Sequence, residues 1–159
     1  MLDETHRGTP RAARKMKTIL VVDDESIVTA WKRVLQLEGY RVVTASNGRE
    51  GLVVANEEIP DLIITDRSMS ITDGVEFCRH LKLQREFARI PVILTSADPP
   101  GPGDSSMGWV LAKARAHRDV ASIGATPFER VFMTQLIRSV LRRAPPVGWN
   151  TCAILSEVT

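Results

Sequence analysis

Only two cysteines occur in the 159 residues, Cys78 and Cys152, and they lack the spacing of metal ligands. A disulfide framework is therefore not expected, and both read as plain thiols. The three histidines, His6, His80 and His117, are dispersed. They offer neither a metal cluster nor a phosphotransfer histidine. No apolar run reaches the roughly 18 residues of a membrane span, and the first 17 residues lack the apolar centre of a secretory signal. The cytoplasm is the expected location, with no membrane partner. Charge of one sign is also scarce: the formal net charge is +2 and the cations are spread along the chain. That excludes a whole-molecule case for direct nucleic-acid binding.

What is present is the balance of a globular chain, 43% apolar and 25% charged, at the length of one domain with tails. Residues 1–15 are polar and basic without periodicity and read as a flexible arm. Met16, directly before the first regular element, is an alternative translation start. Residues 16–143 form the expected domain, and residues 144–159, with Pro145 and Pro146, a tail. A tail of that size is too short for a helix-turn-helix output unit.

Within the domain, Ile19 to Val22 is a continuous apolar run of the kind buried on both faces of a sheet, and Asp23-Asp24-Glu25 follows at once. Ile27, Trp31, Val34 and Leu35 then recur at helical spacing, and Gly39 stands where a helix end favours positive φ. Arg41 to Ala45 reads as a strand, Glu50 to Glu57 as a helix stopped by Pro60, and Leu62 to Thr65 as a strand ending in Asp66. A third helix carries Val75, Phe77, Cys78 and Leu81, and a fourth strand runs from Val92 to Thr95. The Pro/Gly-rich stretch 98–106 interrupts the rhythm as a loop that is either a tolerated surface insertion or a lid or partner contact. After it, Met107 to His117 is predicted helical, Val120 to Gly124 a weak fifth strand, and Phe128, Phe132, Leu136 and Val140 mark a last helix ending at Arg142 and Arg143.

Alternation of this kind predicts an α/β fold: a doubly wound parallel sheet with helices on both faces, and ligands beyond the strands' carboxyl ends. Asp23, Asp24 and Asp66 all stand at such ends. Three converging carboxylates repel unless a cation neutralises them. A hard divalent ion such as Mg²⁺ takes a few carboxylate oxygens and keeps room for water and phosphate oxygens, and a carboxylate beside it can act as a nucleophile toward phosphorus. The competing structural roles are helix N-capping for Asp23 and Asp24 and a turn position for Asp66.

The segments KTILVVDDE at 17–25, DLIITDRSMSITDG at 61–74, PVILTSA at 91–97 and ATPF at 125–128 resemble the receiver domain of response regulators, over about residues 16–143. The resemblance implies a five-stranded flavodoxin-like sheet of order 2-1-3-4-5. It implies a phosphoacceptor at Asp66 and Mg²⁺ held by Asp23, Asp24, Asp66 and the backbone carbonyl of Ser68. Ser96 is then the hydroxyl that hydrogen-bonds the phosphoryl group, with Thr95 as the alternative one residue earlier. Implied partners are a histidine kinase or phosphotransfer protein, and a downstream protein or a second copy bound through the fourth helix, fifth strand and fifth helix. That face would include Arg138, Arg142 and Arg143, and Trp109 is either an anchor there or a core residue.

Three positions depart from the family pattern. Thr126 replaces the lysine that ends the fifth strand, Ser70 a proline, and Ile123 the aromatic switch residue. Arg67 and Lys113 are the substitutes considered for the missing cation. The expected function is a stand-alone, non-enzymatic response regulator in a phosphorelay. The alternative is a degenerate receiver serving as a phosphorylation-independent interaction module. A phosphohydrolase would need an aspartate where Ser68 stands.

Overall fold

Five residues in a row, Thr18–Val22 (β1), are buried, so their side chains fill space on both faces of the sheet they join. Each Ile, Leu or Val so buried contributes about 1.5–3 kcal/mol. The structure, a computed structural model, describes residues 15–69, 71–96, 109–112 and 127–142, with the backbone alone for Ser26, Ser96, 109–112 and 127–133. All of the expected arm at 1–15 but Lys15, the loop at 98–106 and the tail at 144–159 lie outside the described residues, as do Ser70, Ile123, Thr126 and Arg143.

The chain continues through Glu25–Leu37 (α1), Arg41–Ala45 (β2), Gly48–Glu58 (α2), Leu62–Asp66 (β3), Gly74–Leu83 (α3) and Val92–Ser96 (β4). Trp109–Ala112 (β5) and Pro127–Arg142 (α4) complete the described elements. All strand pairs are parallel, in the order β2-β1-β3-β4-β5. The doubly wound architecture and its order agree with the expectation from sequence.

The strands' alternation divides the core in two. Ile19, Val21, Leu62, Ile64 and Ile93 pack with Trp31 and Leu35 of α1 and with Leu136, Ile137 and Val140 of α4. Leu20, Val22, Ile63 and Val92 point the other way, onto Phe77, Cys78 and Leu81 of α3 and Ala55 of α2. Gly51 lets α2 come down on the ring of Phe77, since an added Cβ there would meet the ring at 3.0 Å. Gly39 takes φ +86, as its place after α1 predicts. Cys78 is fully buried, and burial pushes its thiol up to about 12, which makes it inert in the folded state. Lys82, one turn on, donates to the carbonyls of Ala88 and Ile90 at 3.2 and 3.1 Å and so ties α3 to the turn leading into β4.

One expectation fails. The stretch predicted to be helical from Met107 supplies β5 instead, and Ile93 to Ser96 pair with Trp109 to Ala112. Four consecutive apolar residues can give the outer edge of β4 its backbone partner. With no described helix between β4 and β5, the helix at Pro127–Arg142 is the fourth described rather than the fifth. The predicted strand at Val120–Gly124 falls outside the described residues.

Candidate functional site

Because Val22 pairs with Thr65, the next residues, Asp23 and Asp66, leave neighbouring strands side by side, with backbones about 4.8 Å apart. Asp66 in turn pairs with Thr95 of β4. The parallel sheet therefore gathers the acids from two turns of sequence onto one edge.

Their surroundings differ. Asp23 is buried at 2% exposure; its backbone N–H donates to the Ala45 carbonyl at 3.2 Å, and its Oδ1 accepts from the Asp24 N–H at 2.8 Å. Asp24 is exposed and occupies the N-cap of α1, yet its side chain makes no capping hydrogen bond. The capping explanation thus accounts for its backbone and leaves its carboxylate unexplained. Asp73, by contrast, accepts from the Val75 N–H at 3.1 Å and is a true cap for α3. Asp66 is half-buried.

The loop after Asp66 is held in place from both sides. Arg67 N–H donates to the Thr95 carbonyl and Gly74 N–H to the Arg67 carbonyl, each at 2.9 Å. Gly74 is the site residue that the sequence reading missed. A Cβ on it would lie 2.0 Å from the backbone oxygen of Asp66, so α3 can begin against Asp66 only without a side chain there. The signal was the Asp-Gly pair that closes the loop. Ser68, exposed, lies in this loop two residues past Asp66.

On β4 the Thr95 hydroxyl is buried and donates to the Thr65 carbonyl at 3.3 Å. It is engaged inside the sheet, while of Ser96, the last residue of β4, the backbone alone is described. Of the two substitutes considered for the missing lysine, Arg67 is half-buried directly after Asp66. Lys113, the other, lies outside the described residues.

Among the described residues, no three His, Cys, Asp or Glu side chains form a metal-enclosing group by themselves. Mg²⁺ does not require such a group, because it is held through a few carboxylates and keeps several waters. Asp23, a buried carboxylate, Asp24, an exposed one without a capping role, and Asp66 at the end of the adjacent strand are oxygen donors of the hardness such an ion takes.

The edge thus defines a class: an open α/β domain with an acidic pair and a strand-end aspartate at its ligand-binding side. The chain matches the family model of the response regulator receiver domain over residues 19–101, and it belongs to that family. It is 36% identical over 129 residues to the alkaline phosphatase synthesis transcriptional regulatory protein PhoP of Bacillus subtilis, a match covering 80% of this chain and 50% of that protein. The chain spans about half the length of the curated relatives it matches. Chemotaxis protein CheY4 of Vibrio cholerae superposes with a TM-score of 0.65 at 26% identity, over 79% of this chain and 98% of that one. Response regulator TrrA of Thermotoga maritima, solved in complex with Mg²⁺ and BeF, gives 0.64 at 27% identity, over 79% and 99%. Among the described residues no helix is long and apolar enough to cross a membrane.

Proposed function

We propose that this receiver takes a phosphoryl group on Asp66 from a histidine kinase or phosphotransfer protein, and that it signals by binding a protein partner. The observation that carries the reading is Asp24, an exposed carboxylate beside buried Asp23 that does not cap its helix. An interaction module with no metal or phosphate chemistry would have no physical use for that pair beside a half-buried acceptor.

Asp23, Asp24, Asp66 and the Ser68 carbonyl would hold Mg²⁺, which when bound offsets charge on the transferring phosphoryl oxygens. A carboxylate oxygen of Asp66 attacks phosphorus and an O–P bond forms. The P–N bond to the donor's imidazole breaks, and the leaving nitrogen keeps the electron pair and takes up a proton. Gly74 lets α3 start close to the acceptor, and Arg67 N–H bound to Thr95 fixes the loop. Ser96 donates its hydroxyl to a phosphoryl oxygen. Arg67, half-buried directly after Asp66, is the described candidate for the positive charge that Thr126 does not supply. Action in the cytoplasm, without enzymatic output of its own, belongs to the same proposal, as does the division into arm, receiver and tail at residues 15 and 143.

Incubation with Mg²⁺ and acetyl phosphate, read by intact mass, tests it. One added phosphoryl group on the wild type and none on Asp66→Asn is the expected result. No adduct on the wild type, with tryptophan fluorescence also unmoved by Mg²⁺ and beryllofluoride, would leave the phosphorylation-independent module as the working account.

A further inference from the structure

At the opposite edge of the sheet, where the strands begin, the described surface contains a cavity of about 430 Å³. Lys15 and Lys17 approach it from the segment before β1, and Arg138 and Arg142 from α4, while Tyr40 and Leu141 supply apolar wall. The volume falls in the range of small-molecule sites. None of these residues takes part in the chemistry at Asp66.

Among its described lining residues, cations outnumber acids: Lys15, Lys17, Arg138 and Arg142 face one carboxylate, Glu38, which lies 3.5 Å from Arg138. Lys17 is paired with Asp61 at 2.6 Å. Lys15 and Arg142 have no ion pair among the described residues. A cation near the end of α4 is expected from the helix dipole, but that accounts for Arg142 alone. Arg138 and Arg142 are one turn apart on the same helix face, so two guanidinium groups address one space. Planar guanidinium pairs match the oxygens of phosphates in a bidentate manner, which point-like surface lysines do not.

We propose that this cavity binds a small phosphorylated anion of the diphosphate or triphosphate class, with Tyr40 and Leu141 against its non-phosphate part. The site is independent of Mg²⁺, since the cations come from the protein. It offers the receiver a second, reversible input on the face away from the phosphoacceptor.

Titration of the full chain with inorganic pyrophosphate and with adenosine triphosphate, in buffer containing a chelator of divalent ions, tests this by calorimetry. Saturable binding is expected for wild type and Asp66→Asn alike, weakened roughly tenfold or more in an Arg138→Ala/Arg142→Ala variant whose unliganded Tm is unchanged. Tyr40→Leu should weaken the nucleotide and spare pyrophosphate. Unaltered affinity in the double-arginine variant, no saturation at millimolar ligand, or loss of binding in Asp66→Asn overturns the proposal. Preference for an acidic peptide over both phosphates also overturns it and points to a protein partner.

Discussion

The two ends of the parallel strands are built to opposite specifications. At the carboxyl edge lie Asp23, Asp24 and Asp66, next to helix N-termini that carry Glu25, Glu50 and Glu76 in their first turns. At the amino edge lie Lys15, Lys17, Arg138 and Arg142. Part of this polarity follows from topology alone: each helix runs back against its strand, so positive dipole ends collect where the strands finish. The remainder does not, because neither α1 nor α2 has a basic residue in its last turn. The edges differ in packing as well. Backbone touches backbone at Gly74, whereas a Cβ added to Gly39 at the other edge would meet nothing within 4 Å. Chemistry at a fixed geometry demands the first arrangement, and a site for an exchangeable ligand tolerates the second.

The sharpest way to break this comparison is to substitute alanine at both glycines. Gly74→Ala must displace α3 from the Asp66 carbonyl, at a cost of about 2–4 kcal/mol, and should abolish phosphoryl acceptance with it. Gly39→Ala has room and suffers only from its φ of +86, so it should cost about 1 kcal/mol and leave Asp66 functional. Urea denaturation and the acetyl phosphate assay measure both. Equal losses would mean that the acidic edge is no more tightly set than the basic one.

Much of that acidic edge was legible in the sequence, since continuous apolar runs ending in acid fix both the strands and where the acids emerge. Asp23, Asp24 and Asp66 stand where the pattern put them. Gly74 was not legible as a site residue, because its role depends on how closely α3 approaches β3, a distance no periodicity encodes. The strand at Trp109–Ala112 was missed for a related reason. Trp109 to Ala112 is short enough to satisfy a helical or a strand pattern, and its pairing with β4 decided between them. The basic cavity was invisible, because Lys15, Tyr40 and Arg138 are far apart in sequence and meet only in the fold.

The amino edge also tolerates strain that could be removed. Ile59, which ends α2 just before β3, has φ 43, a left-handed conformation that a β-branched residue rarely adopts. It is exposed and followed by Pro60, so its side chain holds little core in place. Ile59→Gly should therefore stabilise the protein by about 1 kcal/mol in urea denaturation, with phosphoryl acceptance unchanged. A loss of stability would show that the contacts of Ile59 outweigh its backbone strain.

The smallest effect sits at the carboxyl edge and has a defined pH window. The Ser46 hydroxyl, and after it the Ser46 N–H, donate to the Glu50 carboxylate at 2.5 and 2.8 Å and hold it below its ordinary value of 4.5. Asn47 closes the cap by accepting from the Glu50 N–H at 2.9 Å. A lowered carboxyl pKa contributes stability that is present above the unfolded value and lost as pH falls through the folded one. Glu50→Gln keeps an acceptor but cannot titrate. Its deficit should be a few tenths of a kcal/mol near neutral pH, kept small by solvent screening of an exposed group, and should vanish below the carboxylate range. Thermal denaturation of both proteins across pH 3 to about 7 tests the sign. A deficit that grows on acidification would mean that the charge at Glu50 opposes the acids around Asp66 more than it supports the start of α2.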